Sequence, residues 1–145
     1  MKKLMKIFLV LSLFFLFGCT PHTSKTIEKD GYYYSKEDVC TYLQTYNELP
    51  DNFITKNEAE RLGWDNRKGN LWEVADGMCI GGDKFGNREG LLPKEKGRQY
   101  YECDIDYNGG NRGKKRIIYS NDGLIYYTED HYESFEDITH ENYYD

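Results

Sequence analysis

Residues 98–116 read RQYYECDIDYNGGNRGKKR. The first half alternates with the two-residue period of a strand, which sets Glu102 and Asp104 on one face and Cys103 and Ile105 on the other. The second half turns through glycines and returns with Arg112, Lys114, Lys115 and Arg116. A further stretch, TEDHYESF, places His131 in a turn before the last strand. A lone mid-strand glutamate is ordinarily a solvated cross-strand partner, and a lone turn histidine is ordinarily surface. Together with two arginines, whose planar forks suit oxyanions, they make an acid–base pair beside an anion receptor.

The elements that must position these groups fall into two halves. YSKEDVCTYLQTYN begins with Ser35 as N-cap, has Asp38 three residues later, and sets Val39, Cys40, Leu43 and Tyr46 on one helical stripe. ELPDNF breaks that helix. TKNEAERLG forms a second one, with Thr55 and Glu58 as a capping box and Gly63 as the stop. NLWEVADG reads as a short third helix, capped by Asn70 and ended by Gly77. Beyond it the period changes. MCIGGDKF, RQYYECDIDY, KKRIIYS, GLIYYT and SFEDI are short aromatic and β-branched runs separated by Gly- and Asn-rich turns. Helices first and strands afterwards predict an α+β domain, with the N-terminal helices packed on one face of an antiparallel sheet. The opposite face is then open for a site. Cys103 should meet the helical stripe, so Glu102 should look out of that open face.

The N-terminus has its own chemistry. MKKLMK is a basic leader and IFLVLSLFFLF an apolar run that would rise only about 16 Å as a helix, short of a bilayer core of about 30 Å. Residues 1–18 therefore read as an export signal. LFGC at 16–19 resembles the lipobox of bacterial lipoproteins, so Cys19 is expected to become the lipidated N-terminus, anchoring the protein to the outer face of the membrane. Residues 19–31 are polar and read as a flexible tether, leaving 32–145 as the folded domain. An oxidising exterior permits one disulfide among Cys40, Cys79 and Cys103. Cys40–Cys103 is favoured because both face the helix side; Cys79–Cys103 and three reduced thiols remain open. No C-x-x-C spacing exists and the three histidines are scattered, so no metal site is expected.

The formal charge is −6, and −9 once Lys2, Lys3 and Lys6 leave with the signal. Taken alone, that argues against a polyanionic partner. Its distribution argues otherwise: residues 84–116 carry nine Lys/Arg against five Asp/Glu, whereas 117–145 carry eight acids and no Lys or Arg. A carboxylate, an imidazole and two arginines beside such a zone can cleave RNA without a metal. The base takes the 2′-hydroxyl proton, O2′ attacks phosphorus, the acid protonates the leaving 5′-oxygen, and the cations hold the phosphoryl charge.

From YLQTYNELPDNFITKNEAERLGW through NREG, ECDIDY and KRIIYS to LIYYTEDHYESF, residues 35–139 resemble the barnase/binase family of bacterial guanyl-specific ribonucleases. The resemblance implies that Glu102 is the general base and His131 the general acid, with Arg112, Arg116 and Lys56 holding the phosphate and its transition state. GGDKFGNREG is similar to that family's base-recognition loop. Phe85 would pack on the purine, backbone N–H groups from Gly86 through Asn87 to Arg88 would meet guanine O6 and N7, and Glu89 would accept from N1–H and N2–H₂. Tyr132 would stack on the base. Guanine's acceptor edge beside a donor edge suits that set. The resemblance also implies a monomer without cofactor, acting on single-stranded RNA and held inactive inside the cell by a barstar-like inhibitor. Gly86 departs from the family's usual serine, and the acidic balance, the three thiols and the lipid anchor depart too. Asp83 and Asp104 are expected as turn or strand supports, Asp83 also orienting nearby cations. The alternatives are a guanine-nucleotide or RNA-binding lipoprotein of the same fold with little turnover, or a cell-surface interaction protein.

Overall fold

The computed structural model describes residues 25–145, so the signal segment and Cys19 lie outside the described residues. Helix α1 (Lys36–Tyr46) starts where Ser35 accepts a hydrogen bond from the Asp38 N–H at 3.1 Å. It ends at Asn47, whose left-handed backbone returns its N–H to Leu43 O. Helix α2 (Lys56–Arg61) has the complete Thr55/Glu58 capping box. The third helix, α3 (Leu71–Val74), is shorter than expected, and Asn70 does not cap it. Its side chain instead accepts from Asp65 N and donates to Gly63 O, tying a 3₁₀ turn at Asn66–Lys68 to the end of α2.

The strands form one six-stranded sheet in sequential order: β1 (Phe53–Ile54), β2 (Cys79–Phe85), β3 (Tyr100–Asp104), β4 (Arg116–Ser120), β5 (Ile125–Thr128) and β6 (Glu136–Asp137). All neighbours are antiparallel except β1, a two-residue edge strand that pairs parallel to β2. That strand lies in the stretch read as a helix break. A bulge at Gly82 (φ 99°) brings Asp83 opposite Glu102. Bulges that re-aim side chains recur next to active sites. Gly81 is required by space: a Cβ there would sit 2.6 Å from Phe53 and 2.7 Å from the Cys103 Cβ.

Both faces of the sheet are buried, by different means. On the helix face Val39, Cys40 and Leu43 pack on Cys103, Ile117, Ile125 and Tyr127, with Ile138 closing the end. The other face, expected to be open, carries Tyr100, Ile118 and Tyr126 beneath Leu92, with Phe85, Tyr132 and Phe135 packed against them. The loop after β2 covers it.

Two further expectations change. The tether is packed from Lys25 onward. Ile27 is 7% exposed, the Tyr42 and Tyr46 hydroxyls donate to the carbonyls of Lys29 and Ile27, and Lys25 pairs with Asp38 at 2.6 Å. Tyr42, absent from the expected stripe, is buried by this contact. The favoured disulfide is also absent: Cys40, Cys79 and Cys103 are all free and buried. The Cys40 thiol donates to Ile138 O at 3.5 Å, and Cys79 belongs to a separate cluster with Trp64, Leu71 and Tyr107. Burial pushes the Cys40 and Cys79 thiols up to about 12 and drives Cys103 well above its ordinary value, so none is a nucleophile at neutral pH.

Candidate active site

Two rows of residues run across the strands. In the first, Asp104 of β3 faces Arg116 of β4, which faces Thr128 of β5; in the second, Glu102 faces Ile118 and Ile118 faces Tyr126. The first row is the anion receptor. Asp104, 2% exposed, receives the Arg112 fork at 2.8 and 2.7 Å. Arg116 Nε lies 3.0 Å from the same carboxylate but out of line, and it is left without a hydrogen-bond partner. Arg116 Nη1 donates to Gly113 O and Lys115 O, which fixes the plane of the guanidinium. Burial opposes the Arg112 charge, yet the Asp104 hydrogen bonds hold its pKa above the ordinary value. One carboxylate facing two guanidiniums leaves positive charge uncompensated, and that excess is what a phosphate would neutralise.

Asp104 therefore orients the two arginines, and Asp83 bears on the third cation, Lys56, through its backbone. Asp83 accepts from the backbone N–H of Lys56 at 3.1 Å, helping to hold the start of α2. That restraint places Lys56 Nζ 3.5 Å from Glu102 Oε1. A cation at the first turn of a helix works against the helix dipole, and the capping box and Asp83 hold the turn regardless.

Glu102, on the second row, looks away from the helices as its spacing predicts. Tyr132 donates to its Oε2 at 2.8 Å. The Tyr132 ring stacks on Phe85 at 5.3 Å between centroids and 21° between planes, and lies 4.8 Å from the His131 ring. Burial, and then the neighbouring Glu102 charge, push the Tyr132 phenol up, so it keeps its proton. His131 lines a cleft of about 400 Å³ together with Arg112, Lys114, Arg116, Asn66 and Asn111. A second cavity of about 310 Å³ has Tyr132 in its wall. Phe85, Gly86, Asn87, Arg88, Glu89 and Tyr132, all six of the residues assigned to base recognition, line it together with Leu91 and Phe135.

Every sequence-nominated residue of the domain thus borders Glu102, Tyr132 or one of these two cavities. What sequence reasoning missed is the scaffolding. Asn87 is buried in a left-handed conformation and bridges both backbone groups of Leu92 with its amide, at 2.9 and 3.1 Å. Its side chain shapes the loop whose backbone was singled out. Asp104 carried a signal, since it lies two residues from Glu102 and ahead of two arginines. The Phe85–Tyr132 stack had none; two stacking gaps of about 3.5 Å would be needed for a base between the rings, so a purine must lie on one ring or displace Tyr132. Among the described residues no group of three His, Cys, Asp or Glu side chains is gathered as for a metal ion.

The family model for ribonuclease matches residues 36–139. A ribonuclease of Heyndrickxia coagulans is 54% identical over 102 residues, covering 70% of this chain and 94% of the relative. A ribonuclease of Bacillus intermedius shows the same identity over 70% of this chain and 63% of its own length. Guanyl-specific ribonuclease St of Saccharopolyspora erythraea is 44% identical over 55 residues, 37% of this chain and 54% of that protein. The chain belongs to the ribonuclease family.

Proposed function

We propose that this protein is an exported, lipid-anchored endoribonuclease that cleaves single-stranded RNA after guanosine by metal-independent transesterification. The observation that carries the reading is the closeness of two cavities through consecutive residues whose rings lie 4.8 Å apart: His131 lines the cationic cleft with Arg112 and Arg116, and Tyr132 lines the other with Phe85 and Glu89. Glu102 would take the proton of the guanosine 2′-hydroxyl while Lys56, Arg112 and Arg116 hold the phosphoryl oxygens. His131 would give a proton to the departing 5′-oxygen, leaving a 2′,3′-cyclic phosphate. In the second step His131 takes a proton from water and Glu102 returns one to O2′, giving the 3′-phosphate. Tyr132 holds Oε2 of Glu102, which leaves Oε1, beside Lys56, to take the 2′-hydroxyl proton. The name of the S. erythraea relative supports the guanine preference, as do Glu89 and the 86–88 backbone on the cavity wall. Lipidation at Cys19, monomeric behaviour and a barstar-like inhibitor directed at the cationic cleft belong to the same proposal. The acidic C-terminal segment 117–145 should slow encounter with an acidic inhibitor.

The test is cleavage of GpA and ApA dinucleotides in EDTA. Wild type should cleave GpA and leave ApA nearly untouched, and Glu102→Ala should lose about 10²–10⁴-fold in kcat/KM. Strict dependence on a divalent ion, or a Glu102→Ala variant of unchanged rate, would overturn the mechanism.

A further inference from the structure

The turn that carries His131 is held in a shape its own residues disfavour. His131 (φ 55°) and Tyr132 (φ 74°) are consecutive left-handed residues, neither of them glycine. Such conformations are disfavoured for residues with a side chain and persist only where the surroundings over-determine them. The surroundings here are one carboxylate and one hydroxyl. Asp130 Oδ1 accepts from the Thr128 hydroxyl at 2.8 Å and from the Ser134 N–H at 2.9 Å, and Oδ2 accepts from the Ser134 hydroxyl. The Thr128 Oγ1, on a residue 1% exposed, accepts from the Tyr132 N–H at 3.0 Å. Thr128 is also the cross-strand partner of Arg116. Asp130 therefore spans the turn from 128 to 134, over both strained residues, and ties it to the strand row that holds the phosphate-facing arginine.

We infer that Asp130 is a positioning residue: it fixes the turn so that the His131 imidazole stands on the leaving-group side of the cationic cleft, without itself touching substrate. The inference rests on His131 being the general acid of the proposed reaction. The same hydrogen bonds, those from Ser134 first, lower the Asp130 carboxyl to about 2, so it remains an acceptor throughout the neutral range.

The experiment compares two substrates of one nucleoside. GpA needs a proton on its leaving oxygen, whereas guanosine 3′-(4-nitrophenyl phosphate) expels a nitrophenolate that does not. His131→Gln should lose at least about 10²-fold in kcat on GpA and far less on the nitrophenyl ester. Asp130→Ala should lose roughly 10- to 100-fold in kcat on GpA with KM little changed, and under about threefold on the ester, because only the placement of the acid is disturbed. Asp130→Asn, which keeps the Oδ1 acceptor, should recover most of the GpA rate. Ser134→Ala, which removes a donor from the far end of the network, should show the same selective loss at smaller size and serves if Asp130→Ala does not fold. If Asp130→Ala and Ser134→Ala fall equally on both substrates, or change neither, while His131→Gln stays selective, the positioning role is wrong. If His131→Gln itself falls equally on both, the general-acid assignment fails and this inference with it.

Discussion

Cys103 and Glu102 are neighbours on β3, and they look into two different cores. Cys103 faces α1, in a layer of aliphatic, sulfur and tyrosine side chains with Val39, Cys40, Leu43, Ile117 and Ile138. Glu102 faces an aromatic layer made by Tyr100, Ile118, Tyr126 and Leu92, with charged groups around its rim. On the helix face, position is set by close packing. On the site face, apolar side chains provide a floor, and the functional groups are positioned by one another: Tyr132 and Lys56 by Glu102, Arg112 and Arg116 by Asp104. The difference teaches that the site face of the sheet is a second, thinner core with a polar network as its outer layer. Damage to one face should therefore register in stability, damage to the rim of the other in rate, and only a residue shared between network and interior should register in both.

Asp104 is that residue, and its removal should have the largest effect. Asp104→Ala removes the carboxylate that Arg112 and Arg116 share and leaves a guanidinium buried beside it without compensation. Breaking a buried ion pair from one side typically costs about 3–5 kcal/mol. Urea unfolding should show a loss of that size, and kcat/KM on GpA should collapse along with it as the arginines lose their orientation. Glu102→Ala should separate from it cleanly. The Lys56 partner of Glu102 is 41% exposed, and such pairs are worth about 1 kcal/mol or less, so that variant should lose rate but remain stable. Equal stability losses in the two variants would break the contrast between network and interior.

The division also explains how much of the molecule could be read from its sequence. Period-two alternation in ECDIDY sets the two faces of β3, and the register bears out the placement of Cys103 toward Cys40 and Glu102 away from it. Caps are local, so Ser35 and the Thr55/Glu58 box were legible from a few adjacent residues. Pairings that join distant segments were not. Asp83 reaches a backbone N–H 27 residues away, and nothing in its neighbourhood says so. The packed segment before residue 32 was obscured by its composition, because a single Ile27 and two tyrosine hydroxyls on α1 suffice to hold it. The covering of the site face comes from Leu92, in a loop without strand or helix periodicity. The thiols were misjudged because sharing a face does not bring two sulfurs to bonding geometry.

Two of those thiols give the next test, Cys40 on the helix face and Cys79 in the neighbouring cluster with Trp64 and Tyr107. Burial raises the Cys40 and Cys79 pKa values from 9.0 to about 12. The folded chain thus holds protons that the unfolded chain releases above pH 9. Their contribution is complete below pH 9 and is lost as pH rises from there toward 12. At pH 10 each thiol should cost the folded state about 1.4 kcal/mol relative to pH 8, one unit of proton linkage. Urea titrations at pH 8 and 10 should show the drop, and Cys40→Ala, although less stable at both pH values, should show a smaller pH dependence. An unchanged pH dependence in that variant would mean that the helix face opens to solvent far more readily than its packing indicates.

The smallest effect concerns Tyr132, where the network and the aromatic floor meet. Tyr132→Phe keeps the ring on Phe85 and removes only the hydrogen bond to Glu102. Because a phenol donates more strongly to a carboxylate than to the carboxylic acid formed on proton transfer, part of that bond is lost in the reaction, and its removal should raise kcat/KM on GpA by a few-fold, roughly 1 kcal/mol, a fraction of a full hydrogen bond to a charged group. Tyr132→Ala should lower it instead, since it also removes the stacking surface of the base cavity. The pair of variants therefore divides one side chain into a hydroxyl that restrains the base and a ring that receives the substrate. A Tyr132→Phe rate more than about tenfold below wild type would assign the hydroxyl to the reaction itself. In that case the 2.8 Å contact with Glu102 would be part of the working geometry, and the rim of the site face would be as tightly committed to function as the helix face is to packing.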